Sequence, residues 1–188
     1  MSSLRETALR DIQSDERSLI VAAGKVLADD KASTSVLVEL LGTERRPENR
    51  QAILYALAWH SDFSAVPGLW DRMVEIVADT TEHPKVRGQA AEVLAYAFLD
   101  QQPGTAAFTA AVEVLIEATK DPSPEVRYCA ANTIGSSGYL PLRPHLEALL
   151  GDRDPVEGWV GSVADEAERS MEWLVAMDEQ RRKNALKK

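Results

Sequence analysis

The sequence is short of most things that would advertise chemistry. It holds one cysteine, Cys129, which rules out an internal disulfide framework and a thiolate metal cluster. Its three histidines, His60, His83 and His145, have no second histidine three or four residues away. Aromatic residues make up only 6%. No stretch approaches the ~20 apolar residues of a membrane span. The N-terminus, MSSLRETALRD, is polar within four residues and lacks the apolar core of a signal segment, so a cytoplasmic protein is the simplest expectation. No glycine loop ends in the lysine–serine of a phosphate cradle: GTERR and GDRD both lack it. Ser136–Ser137 has no strand–turn–helix setting for a nucleophile, so GSSG is expected to be a turn. Cys129 is expected in a helix core, with no visible base nearby.

What is present is helical material. Of 188 residues, 45% are hydrophobic and 27% charged, a globular balance. Net charge is −9. The last eight residues carry five cations and no acid, so the body alone stands at −14. An acidic body repels phosphate backbones and suits a basic protein partner, or serves solubility alone.

Three segments repeat: RRPENRQAILYALA (45–58), EHPKVRGQAAEVLA (82–95) and PSPEVRYCAANTIG (122–135). Each places an arginine three residues after a proline: Pro47 and Arg50, Pro84 and Arg87, Pro124 and Arg127. Proline suits the first helical turn because its missing N–H would be unpaired there anyway. A weaker copy at 14–28 has Ser14 and Arg17 in those places. Apolar residues follow on one stripe, such as Ile53 and Leu57 or Ala130 and Ile134. Second helices are expected at 32–42, 64–79, 104–119 and 140–150, giving helix–turn–helix units separated by breakers at 60–62, 100–104 and 135–138.

Taking Pro155 as a fourth proline gives spacings of 37, 40 and 31. Anchoring on Asn49, Val86, Val126 and Val163 gives 37, 40 and 37. The second register makes 151–159 a loop and starts a capping helix near Ser162, running to about Gln180. A leading helix over 2–12 caps the other end. Residues 1–180 then form a single domain, and 181–188 a solvated basic tail.

Pro-x-Val-Arg-x-x-Ala-Ala, carried by Pro124 to Ala131 and Pro84 to Ala91, resembles the HEAT repeat, and most nearly the bacterial HEAT-like repeats of phycobiliprotein lyases. Asn49 departs from the Val of that motif. The resemblance implies an all-α, right-handed α-α superhelix of about four to five helical hairpins. It implies a structural role for Arg17, Arg50, Arg87 and Arg127, bridging to an acid or carbonyl of the neighbouring unit. It also implies a binding surface on the concave face, lined by the second helix of each unit. On that basis Glu39, Trp70, Arg72, Glu75, Glu113, Glu117, Arg143, His145 and Glu147 are candidate contacts, with the glutamates forming an acidic groove. Trp59 and Trp159, where the chain turns, are candidate anchors. No catalytic or metal residue is assigned and no cofactor is expected. The His-Glu dipeptides of metal-binding HEAT-like hydroxylases are absent. The expected function is a non-enzymatic scaffold for a basic protein, of adaptor or immunity type. A chromophore-lyase-like subunit and a HEAT-like nucleic-acid binder are the alternatives.

Overall fold

A computed structural model of the chain describes residues 3–60 and 66–186. Among these, ten α-helices occur: α1 Leu4–Asp11, α2 Arg17–Ala28, α3 Thr34–Thr43, α4 Pro47–Ala58, α5 Leu69–Ala78, α6 Pro84–Ala97, α7 Ala106–Ala118, α8 Pro124–Ser137, α9 Arg143–Glu147 and α10 Val163–Ala185. Pro47, Pro84 and Pro124 each open a helix, as their fixed φ favours. Capping boxes start α1, from Ser3 and Glu6, and α10, from Ser162 and Asp165.

Some boundaries differ from the sequence expectation. Residues 64 and 65 of the expected 64–79 helix, and 61–62 of the breaker, lie outside the described residues. So do the first residue of the expected 2–12 helix and the last two of the tail. Helix α5 begins only after Gly68, held at φ 75°. The 140–150 helix shrinks to a 3-10 turn, Leu140–Leu142, and the short α9, because Pro141 and Pro144 interrupt the amide ladder. GSSG is not a turn. Helix α8 runs through to Ser137 and stops at Gly138, whose φ is 58°. A Cβ added at Gly135 would sit 2.9 Å from the Ser170 backbone. That glycine is a packing residue, letting α8 and α10 touch.

The pairing of helices is the larger correction. Hairpins form between α1 and α2, α3 and α4, α5 and α6, α7 and α8, and α9 and α10. Each Pro-led helix is therefore the second member of its unit. Five hairpins result, and neither α1 nor α10 is an unpaired cap. The helices α2, α4, α6, α8 and α10 pack side by side in an unbroken row. Of the other five, only α5 and α7 pack closely on each other. The tighter row is the inner side of a curved stack and the looser row the outer side. Small residues permit the close spacing: Gly24 faces Ala52, and Gly88 faces Cys129. The core lies between the rows and includes Leu27, Leu37, Leu41, Ile53, Leu57, Met73, Leu94, Leu115 and Ile134.

Arginines tie the turns. Arg50 donates to the Leu41 and Glu44 carbonyls (2.8 and 3.1 Å), which end the helix before it, and pairs with Glu82 in the next turn at 2.7 Å. Arg87 donates to the Val77 carbonyl at 3.1 Å and pairs with Asp121 at 2.6 Å. Arg127 donates to the Asp121 carbonyl and pairs with Asp152 and Asp154, all at 2.7 Å. Each guanidinium satisfies orphan carbonyls at a helix end while reaching an acid of the following unit. Arg17 departs from this pattern: it is exposed and lines a groove. Its place is taken by Arg46, which bonds the Gln13 and Ser14 carbonyls, Asp15 and Glu44. Asn49 also donates to the Ile12 and Ser14 carbonyls, both at 2.8 Å. That polar task is why asparagine stands where the other units have valine.

Candidate binding groove on the inner row

Three cavities line up along the inner row. The first, about 320 Å³, is walled by α2, α4 and α6, with Ile20, Val21, Gly24, Ala52 and Tyr55 on its floor and Arg17, Lys25 and Lys85 at its edge. The second, about 510 Å³, lies between α6, α8 and α10 and includes Glu92, Tyr96, Trp159 and Trp173. A third joins Arg17 and Lys85 to Glu125, Glu157 and Trp159. No residue of α3, α5, α7 or α9 lines any of the three.

The sequence-predicted contacts divide accordingly. Glu39 (α3), Glu75 (α5), Glu113 and Glu117 (α7) are exposed on the outer row, so they form no inner acidic groove. Arg143 and Glu147 pair with each other along α9 at 2.8 Å, with His145 between them. Arg72 is partly buried and donates to the Val38 carbonyl at 3.2 Å, tying α5 to α3. Trp70 is core: it is 7% exposed, stacks edge-on against Phe98 and donates from its indole to the Ala107 carbonyl at 3.0 Å. The cause is the shifted hairpin register. The Pro-led helices, not the helices that follow them, are the second members of their hairpins.

Trp59 and Trp159 do reach the inner row. Trp59 ends α4 and is 49% exposed; its ring meets Tyr55 at 6.3 Å and Tyr96 at 5.6 Å. Tyr55 lines the first cavity and Tyr96 the second, so Trp59 bridges them. Trp159 lies 5.1 Å from the Tyr128 ring and borders the second and third cavities. Trp173, 51% exposed on α10, completes the aromatic lining. Tyr55, Glu92 and Tyr96 were not anticipated. A signal existed: Tyr55–Trp59 and Glu92–Tyr96 are i, i+4 pairs set off the apolar stripes of Ile53–Leu57 and Ala90–Leu94.

The charged groups of the groove are unevenly satisfied. Glu166 is buried and accepts from Asn132 at 3.0 Å, Ser170 at 3.0 Å and Arg169 at 2.6 Å. Among the described residues Glu92 has no hydrogen-bond or ion-pair partner. Burial, with the negative charges of Glu166 and Glu125 adding to it, pushes its carboxyl up to about 7. Glu125 is raised too, chiefly by burial. Tyr128 is pushed up to about 12, again mainly by burial.

Other candidates for chemistry have structural places. His60 is buried between the Thr34 hydroxyl at 2.9 Å and the Leu27 carbonyl at 2.7 Å. His83 caps α6 by accepting from the Lys85 amide. Cys129 is fully buried and its thiol is pushed well up by that burial, the reverse of nucleophile activation. The tail is less free than expected: α10 continues to Ala185, and Arg181 donates to the Phe98, Gln101 and Ser137 carbonyls. No cluster of three or more histidine, cysteine or carboxylate side chains suited to a metal occurs among the described residues. No helix among them is long and apolar enough to cross a membrane.

The fold and groove define an all-α solenoid. A family model described as HEAT repeats matches residues 73–162. A designed armadillo repeat protein superposes with a TM-score of 0.56 at 18% identity, over 89% of this chain and 80% of its own. At that identity the likeness speaks for the fold alone. No curated protein matches the chain. Residues 73–162 of this solenoid are thus similar to HEAT repeats.

Proposed function

We propose that this chain is a non-enzymatic scaffold that holds a segment of a basic protein partner along its inner groove. The observation that carries it is the row of aromatic rings along the inner helices, Tyr55 with the half-exposed Trp59, Tyr96 and Trp173. Rigid aromatic rings kept partly open to solvent are favoured anchors, because they bury much area at little cost in conformational entropy. Repeat solenoids of this kind commonly serve as interaction scaffolds. The charge of −9 supports a basic partner through long-range steering, and weighs against nucleic acid, rather than through an acidic groove floor. The groove itself carries both signs: Arg17, Lys25, Lys85 and Glu48 line the first cavity, Glu92 the second, and Arg17, Lys85, Glu125 and Glu157 the third. A cytoplasmic, adaptor-like role fits this reading.

The test is a comparative capture of partners from the native host, with folding checked by circular dichroism. Wild type and the outer-row variant Glu75→Lys/Glu113→Lys should retain the same basic protein, and Trp59→Ala/Tyr96→Ala should lose it. Retention by the aromatic double variant, with loss on the outer-row charge reversal, would place binding on the opposite face.

A further inference from the structure

The second cavity combines three features that a merely packed surface would not bring together. Its aromatic walls come from three separate segments: Tyr96 on α6, Trp159 in the loop before α10, and Trp173 on α10. Its apolar rim is supplied by Ala95, Leu99 and Met177. One carboxylate, Glu92, lies in the lining without an ion-pair or hydrogen-bond partner among the described residues. A partly buried carboxylate with no protein donor relies on solvent, and a guest that covers it must supply a donor in turn, as this chain does three times over for Glu166. The aromatic faces are negative and attract a cation, and so does the carboxylate.

We propose that this cavity, formed by Glu92, Tyr96, Trp159 and Trp173, receives one arginine side chain of the bound protein segment. The assignment rests on the inner-groove reading and names the chemistry that groove selects. A guanidinium is planar, so it stacks on aromatic rings while its fork donates two hydrogen bonds to a single carboxylate. It is more weakly hydrated than an ammonium and enters an aromatic cavity at lower cost. Neutral or anionic side chains would leave Glu92 unsatisfied or repelled.

The guest also changes the protonation of the site. A bound cation favours the ionised carboxylate, so the Glu92 proton leaves to solvent and binding tightens as pH rises through about 7. The titratable and charged groups around Glu92 are Tyr96 on its own helix, Glu125 and Cys129 on α8, and Glu166 on α10, with Tyr128 and Arg169 acting through Glu166 and Tyr55 on α4 through Tyr96. Arg169 is already committed to Glu166 and Tyr128, so it does not supply the missing cation.

The full chain, with ¹⁵N-labelled tryptophans, should be titrated with the blocked peptide Gly-Gly-Arg-Gly-Gly and its citrulline and lysine counterparts. The arginine peptide should shift the Trp159 and Trp173 indole N–H signals and leave Trp70 unmoved. The citrulline peptide, isosteric but neutral, should bind at least about tenfold more weakly, and the lysine peptide more weakly than arginine. Glu92→Gln, which sacrifices no hydrogen bond, should weaken the arginine peptide about tenfold and abolish the pH dependence. Trp173→Ala, at a half-exposed site, should weaken it independently. Equal binding of arginine to citrulline or lysine, or an unchanged affinity in Glu92→Gln, would overturn the assignment. Such a failure, with partner capture still dependent on Trp59, would leave the groove reading standing.

Discussion

The inner and outer rows of helices are made of similar residues yet do different work. The inner row is continuous, and its helices touch through Gly24, Gly88 and Gly135. It buries ion-paired arginines at its helix starts and leaves aromatic rings half open to solvent. The outer row touches itself closely only between α5 and α7, and it displays unburied glutamates such as Glu39, Glu75 and Glu113. Tight spacing on one side and loose spacing on the other is what bends the stack. Side chains on the tight side are therefore gathered toward one another, and those on the loose side are spread apart. A set of charges at equivalent points in successive units builds a site on the first face and a solvated surface on the second.

The comparison breaks most readily at the ion pairs that join units. Arg87 and Asp121 are both nearly fully buried, so Arg87→Ala leaves an unpaired buried carboxylate and should cost about 3–5 kcal/mol in denaturant unfolding. Arg87→Met combined with Asp121→Leu should recover most of that loss, since the desolvation penalty goes with both charges. Spacing within the inner row is the next lever. Gly135→Ala puts a methyl 2.9 Å from the Ser170 backbone and should cost about 1–3 kcal/mol, whereas Gly151→Ala, with open space around it, should be near neutral.

A pH titration probes the groove more gently. The Glu92 carboxyl is raised from 4.5 to about 7 by burial, so the native state holds a proton that the unfolded chain releases. Its stabilising contribution is present below pH ~4.5 and is lost as pH rises toward 7. Wild type should lose stability relative to Glu92→Gln across that window, and a flat difference between the two would remove Glu92 from its desolvated site. The smallest effect belongs to the outer row. Breaking the exposed Arg143–Glu147 pair with Arg143→Ala should change stability by no more than ~0.5 kcal/mol. A cost approaching that of Arg87→Ala would erase the distinction between the rows.

Much of the fold was legible because it is written in local chemistry. Pro47, Pro84 and Pro124 mark helix starts, Ser162 and Asp165 form a cap, and the 37, 40, 37 spacing exposes the repeat. The site was less legible. Trp59 and Trp159 were visible as aromatics at turns. The sequence offers Trp70 as a candidate contact, but the buried arc of α5 is wide enough to take it beside Leu69, Met73 and Ile76. Gly135 looked like a breaker in GSSG, and only the presence of α10 against α8 makes it a packing residue.

By itself, the sequence determined that the chain is a run of short helices in repeated units, marked by proline–arginine starts and acidic overall. Those properties depend on residues near one another along the chain. Which helix pairs with which neighbour depends on how apolar faces are shared between units, and repeat periodicity is indifferent to a shift of one helix. Tertiary packing alone decided that the Pro-led helices close their hairpins instead of opening them. In doing so it moved the inner face from the glutamates of α3, α5 and α7 to the aromatic rings beside Glu92.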